Sequence, residues 1–223
     1  MTGPSHPRAT GEPAAGRHQE LVTVEMVGPA SDPTELRARL RELIIERALQ
    51  FGEFRLASGQ TSNYYIDGKQ ITLMGEGLYC LARVILDELD GEEVDAVGGM
   101  TIGADPIAAA VSSLSVCHGR TMDAFLVRKE RKDRGTQQRV EGPLHEGQRV
   151  VILEDVITTG GSSLGAIKAV EEERKVEVVH VIAMVDRLQG GREALTEAGY
   201  EFTALFTIED LGVDPERGGG DAT

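Results

Sequence analysis

The second half of the chain contains the stretch Val150-Val151-Ile152-Leu153-Glu154-Asp155-Val156-Ile157-Thr158-Thr159-Gly160-Gly161-Ser162-Ser163. Its apolar, β-branched start predicts a buried parallel strand, which we expect to end at the two adjacent acids. A short loop of Thr, Gly and Ser follows, and the pattern over residues 164–174 predicts a helix. A strand, a polar loop and a helix in this order indicate an α/β fold.

The loop between that strand and that helix carries groups suited to two parts of one ligand. Glycine lets the backbone approach an anion closely, and the N–H groups at a helix start point towards it. Threonine and serine hydroxyls add further donors. Glu154 and Asp155 do not suit a phosphate, but carboxylates accept hydrogen bonds from ribose hydroxyls. We therefore expect a ribose 5-phosphate site; an ordinary β–α turn with a Ser/Thr helix cap is the alternative, and it leaves the two acids unexplained.

Length and composition describe one acidic domain. The chain has 223 residues, enough for a sizeable core, and a formal net charge of −14. That charge argues against nucleic acid or an anionic membrane as a partner. Because no apolar run is long enough for a membrane span or a signal peptide, we expect a cytoplasmic protein. Cys80 and Cys117 lack metal-ligand spacing and are expected to be buried free thiols.

The domain is expected to occupy residues 33–212. Residues 1–32 are rich in Pro, Gly, Ala and polar side chains, which predicts a disordered N-terminal tail, and residues 213–223 are interpreted as a flexible C-terminal tail. Residues 51–70 resemble short strands and turns that pack on the core. Ordered pattern begins just after Met26, which is therefore a candidate natural start.

Helices and strands alternate along this domain. Asp32-Pro33 is typical of a helix start, and a single apolar stripe follows on Leu36, Leu40, Leu43, Ile44 and Ala48. Further helices are predicted over 78–89 and 106–116, and further strands over 94–97 (ending at Gly98-Gly99), 123–127, 176–185 and 202–208. The alternation predicts a doubly wound, mostly parallel sheet, whose ligands bind beyond the carboxyl ends of the strands.

A basic segment, residues 128–136, stands out in this acidic chain because it holds five basic and two acidic residues. A cationic, mobile loop suits a pyrophosphate leaving group, whose charge must be neutralised as its bond breaks, and closure of such a loop excludes water. From these residues alone, a solvated charged hairpin is the simpler interpretation.

The stretch 150–163 resembles the phosphoribosyl-pyrophosphate (PRPP) loop of type I phosphoribosyltransferases, in which two acids and two apolar residues precede Thr-x-Gly-x-Ser or a similar run. The resemblance implies the type I phosphoribosyltransferase fold, with a mostly parallel sheet flanked by helices and a small N-terminal hood. The PRPP-binding residues that it implies in this loop are Glu154, Asp155, Val156, Ile157, Thr158, Thr159, Gly160, Gly161 and Ser162.

The basic segment resembles the catalytic loop of one branch of that family, the orotate phosphoribosyltransferases, with its pattern Arg-Lys-x-x-Lys-Asp-x-Gly. The resemblance implies that Arg128, Lys129 and Lys132 bind PRPP or its pyrophosphate. Arg134, implied as a further PRPP ligand, stands where the family often has His, and a guanidinium does not act as a neutral acid or base near pH 7. In that family the loop closes over the neighbouring subunit's site, which implies a homodimer.

Residues 54–67 resemble the hood of the same family, Ser-Gly-x-x-Ser-x-aromatic-aromatic. The resemblance implies that Tyr64 and Tyr65 bind orotate by covering its flat ring. Many members carry Lys at the position of Ala57, so one cationic contact is missing here. Without the other motifs, a Ser/Gly turn leading into an edge strand is the simpler interpretation of these residues.

Two more segments resemble the family. Residues 98–108 match the turn that binds pyrophosphate through backbone amides, with Gly103 where some members place Lys. Residues 184–191 resemble Val-Asp-Arg-x-Glu-Gly-Gly, which implies that Arg187 pairs with the carboxylate of orotate, a task that suits guanidinium. An exposed ion pair between Asp186 and Arg187 is the alternative.

The resemblance therefore implies transfer of ribose 5-phosphate from PRPP to orotate, with no nucleic-acid or membrane partner. The implied catalytic residues are Lys132, Asp155 and Glu154, and the implied orotate-binding residues are Thr158, Arg187, Tyr64 and Tyr65. Mg²⁺ is the implied cofactor, held through PRPP without a firm protein ligand and with Glu154 and Asp155 nearby. A phosphoribosyltransferase for a purine or uracil and a non-catalytic PRPP-sensing regulator stay open as alternatives.

Overall fold

The computed structural model describes residues 32–55, 61–130 and 138–214. The two expected tails lie outside these residues, apart from Asp32, Val213 and Asp214. The helices are α1 (Pro33–Leu43, continued by a π-helical turn over Ile44–Ala48), α2 (Lys69–Thr72), α3 (Gly75–Glu88), α4 (Asp105–Cys117), α5 (Gly161–Arg174) and α6 (Gly191–Glu197). The strands are β1 (Leu49–Arg55), β2 (Thr61–Ile66), β3 (Ala96–Met100), β4 (Asp123–Val127), β5 (Val140–Glu141), β6 (Arg149–Ile157), β7 (Glu177–Asp186) and β8 (Phe202–Thr207).

The main sheet has six strands in the order β5-β4-β3-β6-β7-β8. All neighbouring pairs are parallel except β4 and β5, so the predicted mostly parallel sheet is confirmed. Strands β1 and β2 form a separate antiparallel pair, which is the expected hood. Strands β3, β6 and β7 are parallel neighbours, so the loops that follow them lie together at the carboxyl ends of the strands.

Two apolar layers cover the faces of the sheet. Helices α1, α3 and α4 contribute to one layer, and α5 contributes to the other. Side chains of β6 alternate between them: Val151 and Leu153 enter the first layer, and Val150 and Ile152 the second. This alternation sends the two acids that follow, Glu154 and Asp155, towards different neighbours.

Helix α1 begins where the sequence predicts it. The side chain of Asp32 accepts a hydrogen bond of 2.8 Å from the backbone N–H of Thr34, and Pro33 occupies the first helical turn, where it removes no intrahelical bond. The apolar stripe predicted for this helix is fully buried, which confirms that its face packs on the core.

The ends of two strands differ from the prediction. Strand β6 continues to Ile157 because it stays paired with β7 as far as Asp186, so the two acids lie within the strand. Strand β3 includes Gly98 and Gly99, which were expected to follow it. A Cβ at Gly98 would lie 2.1 Å from the carbonyl oxygen of Phe125, so close strand packing explains a glycine inside this strand.

Smaller differences concern short elements and single residues. Helices α2 and α6 and strand β5 were not predicted, because they are too short to show a period. Val213 is buried, so the packed core extends one residue past the expected boundary at 212. Both cysteines are free thiols, but Cys117 is exposed rather than buried. Within the described ranges, no helix has the length and apolar character needed to cross a membrane.

Candidate active site

The loop after β6 forms a turn that only glycine suits at its last position. Gly160 has a φ of 78°, in the left-handed region, and α5 begins at the next residue. Thr159, Gly161 and Ser162 are exposed and Thr158 is partly exposed. The first N–H groups of a helix have no partner within the helix, so α5 offers donors to an anion at this exposed turn.

Not every residue of the predicted PRPP loop faces the turn. Ile157 is buried in the apolar core, so its side chain packs rather than binds, and Val156 is partly buried. Ser163, which the sequence offered as another hydroxyl donor, is 1% exposed and donates a 3.1 Å hydrogen bond to Oε2 of Glu154. Its hydroxyl therefore positions an acid inside the site.

Glu154 is a buried acid, with 8% of its surface exposed. Burial, and next the neighbouring charge of Asp155, raise its pKa to about 7. The Ser163 hydroxyl and the positive charge of Lys129 act in the opposite direction and lower it. A ligand that donates hydrogen bonds, such as a pair of ribose hydroxyls, would stabilise the ionised form of this group.

Asp155 lies in a narrow space between two glycines. A Cβ at Gly68 would be 2.7 Å from Oδ2 of Asp155, and a Cβ at Gly103 would be 2.6 Å from Oδ1. Burial raises the pKa of this carboxyl, whereas a hydrogen bond from its neighbouring N–H and the charge of Lys69 lower it. The glycine at 103 is thus explained by the carboxylate against which it packs.

Lys69 is a site residue that sequence reasoning missed. Its ammonium lies 2.6 Å from Oδ1 of Asp67, and its pKa is raised mainly by that hydrogen bond. The charge of Asp155 raises the same pKa further, so this cation sits near the carboxylate of the β6 strand end. The signal in the sequence was a lysine directly after Asp67-Gly68, at the end of the predicted hood.

Arg187 follows β7 and is buried, with 7% of its surface exposed. Its backbone N–H donates to the carbonyl oxygen of Ile157, which ties it to the end of β6. The neighbouring Asp186 is fully buried; it accepts a 2.8 Å hydrogen bond from the N–H of Leu188 and lies 3.8 Å from Nε of Arg192. The alternative of an exposed Asp186–Arg187 ion pair is therefore wrong.

The guanidinium of Arg187 lacks an acidic partner in the described part of the chain. Its Nε donates a 3.3 Å hydrogen bond to the hydroxyl of Tyr64, and its central carbon lies 4.9 Å from the centre of that ring. Its Nη2 is buried and, among the described residues, has no hydrogen-bond partner. A buried cation without a counter-charge costs free energy, which an anionic ligand would offset.

The two hood tyrosines face opposite sides of β2. Tyr64 is 2% exposed and packs on Arg187. Tyr65 is 38% exposed, and the centre of its ring lies 5.6 Å from the centre of the Phe54 ring. The period of two along a strand causes this separation. The structure therefore brings Tyr64, but not Tyr65, to the guanidinium. Ala57 lies outside the described residues.

Part of the basic loop is described. Its ends meet at the sheet edge, because the N–H of Arg128 donates to the carbonyl oxygen of Arg139 at 2.9 Å. The Arg128 guanidinium lies 3.8 Å from Glu141, and Lys129 is near enough to Glu154 to lower its pKa. Lys132 and Arg134, the other two predicted ligands, lie outside the described residues.

Comparison with known proteins agrees with this geometry. The family model described as "Phosphoribosyl transferase domain" matches residues 69–209. Orotate phosphoribosyltransferase from Rhodopirellula baltica is 46% identical over 184 residues, which cover 80% of this chain and 95% of the relative. The chain belongs to the orotate phosphoribosyltransferase family. The predicted type I phosphoribosyltransferase fold is thereby confirmed.

Other relatives in this family are equally well covered. The orotate phosphoribosyltransferase of a Nostoc species is 46% identical over 196 residues, covering 86% of this chain and 93% of its own length. A crystal structure of orotate phosphoribosyltransferase from Mycobacterium tuberculosis in complex with PRPP is 35% identical, with a TM-score of 0.67, and the match covers 80% of this chain and 99% of that one.

Proposed function

We propose that this orotate phosphoribosyltransferase transfers the ribose 5-phosphate group of PRPP to orotate, giving orotidine 5′-monophosphate and pyrophosphate for pyrimidine synthesis. The buried guanidinium of Arg187, unpaired by any acid in the described residues, is the observation that carries this proposal. Orotate has a carboxylate that meets this need, and uracil and the purine bases lack one.

The two strand ends divide PRPP and orotate between them. The exposed turn over 158–162 binds the 5′-phosphate through backbone N–H groups and hydroxyls, with Thr158 also facing orotate. Glu154 and Asp155 accept hydrogen bonds from the ribose hydroxyls, and their negative charge stabilises the positive charge that develops on the sugar. The orotate ring nitrogen, having given up its proton to solvent, forms its bond to the anomeric carbon as the bond to pyrophosphate breaks.

In this proposal the basic loop binds the pyrophosphate leaving group. Arg128, Lys129, Lys132 and Arg134 neutralise the pyrophosphate as it departs, and the closed loop keeps water from the sugar cation. In this proposal the loop serves the site of a second copy of the chain, so the active protein is a homodimer.

The residues present fit a magnesium ion held mainly by the substrate. Mg²⁺ prefers oxygen ligands, retains several waters, and often uses one or two carboxylates together with substrate phosphates. Glu154 and Asp155 are the carboxylates next to the PRPP loop, and the described residues contain no cluster of three acidic, histidine or cysteine side chains for a dedicated metal site. When bound, the ion would neutralise negative charge on the pyrophosphate group.

An absorbance assay tests the activity directly. Purified protein is mixed with PRPP, Mg²⁺ and orotate, and the loss of orotate absorbance is followed, with adenine, hypoxanthine and uracil in parallel reactions. We expect consumption of orotate that requires both PRPP and the metal. Turnover of another base instead, or PRPP binding without any turnover, would support one of the two alternatives named above.

Mixing two variants tests the shared loop. Lys132→Ala removes a cation of the basic loop, and Arg187→Met removes the side chain that binds orotate. The homodimer of either variant should therefore be nearly inactive. In a mixed dimer, one site has both an intact Arg187 and an intact loop from its neighbour. Random reassociation should therefore restore about a quarter of wild-type activity. No recovery, in mixtures shown by native mass spectrometry to contain heterodimers, would contradict a loop shared between subunits.

A further inference from the structure

Tyr64 makes two different interactions with the guanidinium of Arg187. The central carbon of the guanidinium lies over the Tyr64 ring, 4.9 Å from its centre, and Nε donates a 3.3 Å hydrogen bond to the Tyr64 hydroxyl. Both side chains are buried, at 2% and 7% exposure. A cation–π contact and a hydrogen bond, both made with Tyr64, therefore restrain the orientation of the guanidinium.

Tyr64 is itself held firmly. Tyr64 lies opposite Phe51 in the antiparallel pairing of β1 and β2. Its carbonyl oxygen accepts a 2.8 Å hydrogen bond from the buried hydroxyl of Ser62. The ring belongs to the apolar layer that also contains residues of α1 and α3. The hood therefore presents the Tyr64 hydroxyl at a defined point beside the end of β7.

A guanidinium can bind a carboxylate through either of two edges, Nε with Nη2 or Nη1 with Nη2. The Tyr64 hydroxyl occupies Nε, so the first edge is not fully available. Nη2 remains without a partner in the described residues. We propose that Tyr64 is a positioning residue, which directs the Nη1–Nη2 edge of Arg187 towards the orotate carboxylate and so sets selectivity for a carboxylated base.

This inference rests on the proposed function and adds how the guanidinium of Arg187 is oriented. Without the hydroxyl, Nε loses its acceptor and the guanidinium can rotate in its plane. A rotated guanidinium meets the carboxylate with poorer geometry, and this loss affects only a ligand that has a carboxylate.

The chain contains a matched control for the test. Tyr79 on α3 accepts a 2.8 Å hydrogen bond from Nη1 of Arg83, whose guanidinium lies 5.8 Å from the ring centre. This is a similar tyrosine–arginine pair on helix α3, which packs against α1, α2 and α4. Tyr79→Phe therefore removes an equivalent hydroxyl without touching the orotate site.

The experiment compares steady-state kinetics of wild type, Tyr64→Phe and Tyr79→Phe. For Tyr64→Phe we expect KM for orotate to rise roughly tenfold, as for loss of a hydrogen bond to a charged group, with KM for PRPP unchanged. Inhibition by uracil, which has no carboxylate, should be unchanged, and Tyr79→Phe should match wild type. Thermal melting of each variant reports on folding.

A double-mutant cycle separates positioning from a direct contact. If Tyr64 acts through Arg187, Tyr64→Phe should have no further effect on kcat/KM for orotate in an Arg187→Met background. Equal effects in both backgrounds, or an unchanged KM for orotate in the single variant, would overturn the positioning role alone. A wild-type protein that does not consume orotate would overturn the proposed function, and the positioning role with it.

Discussion

The ends of β6 and β7 are neighbours with opposite charge. Strand β6 carries one buried acid, Glu154, and one partly buried acid, Asp155, both with raised pKa values, and β7 leads into a buried arginine that no acid pairs with in the described chain. The strands stay hydrogen-bonded up to Ile157 and Asp186, yet the described ion pairs do not join Glu154 or Asp155 to Arg187. Within the described residues, the acids of one end and the arginine of the other are therefore not paired with each other.

This difference indicates which chemical group of a ligand suits each strand end. Acids suit hydroxyl donors on a sugar, and a guanidinium suits a carboxylate. Direct pairing of the two ends would stabilise the free protein but would occupy the groups needed for binding. Each group has local contacts of its own instead: Glu154 accepts a hydrogen bond from Ser163, Asp155 packs against two glycines, and Arg187 donates to Tyr64.

Removing the charge at the β7 end should have the largest effect. We expect Arg187→Met to lower kcat/KM for orotate on the order of 100-fold, because the carboxylate loses its buried partner. PRPP affinity, measured by calorimetry, should stay near wild type, since the acids of β6 are untouched. The melting temperature should not fall, because the substitution removes an uncompensated buried charge.

Arg192→Met is the matched control for that variant. The central carbon of the Arg192 guanidinium also lies over a ring, 4.8 Å from the centre of Phe202. Its Nε lies 3.8 Å from the carboxylate of Asp186, but its side chain is 45% exposed. We expect its loss to lower kcat/KM for orotate less than the loss of Arg187, because the Arg192 guanidinium is partly exposed, although the buried carboxylate of Asp186 then loses the cation 3.8 Å away. A similar loss of orotate activity in both variants would show that the burial of Arg187 does not matter.

Crowding the acid at the β6 end should have the next largest effect. In Gly103→Ala the new Cβ would lie 2.6 Å from Oδ1 of Asp155, so the carboxylate must move. We expect KM for PRPP to rise about tenfold, in line with the cost of overpacking. Gly75→Ala, where nothing lies within 4 Å of the new Cβ, should leave PRPP kinetics unchanged.

The titration of Glu154 should produce a smaller, severalfold effect on PRPP binding. Its pKa of about 7 means that the acid is largely protonated below neutral pH, and a protonated carboxyl is a poorer acceptor for ribose hydroxyls. PRPP affinity, measured by calorimetry from pH 6 to pH 8, should therefore rise with pH. In Glu154→Gln only the slope due to the ligand's own phosphates should remain.

The smallest expected effect is on the stability of the folded protein. Stability should fall as pH rises, whereas PRPP affinity should rise. The folded pKa of Glu154 is raised from its ordinary value of 4.5 to about 7, so the folded state binds the proton more tightly than the unfolded state. This contribution is fully present below pH 4.5 and is lost as pH rises through 7. Melting temperatures of wild type should fall across this window relative to Glu154→Gln; equal slopes would contradict the shift.

Much of the fold was predictable from local pattern. The apolar stripe of α1, the strand Asp123–Val127 and the Gly-rich turn before α5 carry periodicity or special backbone needs that a sequence displays directly. The pattern did not reveal that β6 extends beyond its acids, because that extension depends on pairing with β7, a strand about 20 residues further along the chain.

By itself, the sequence determined the α/β class and located the Gly-rich loop, the two acids and the arginine, since each depends on residue type and order. The tertiary structure decided how these groups are used. Packing of β2 against the end of β7 placed the Tyr64 hydroxyl on Arg187, and packing of Gly68 and Gly103 enclosed Asp155. Such contacts join residues far apart in the chain, and burial then gives their charges an influence that local sequence cannot show.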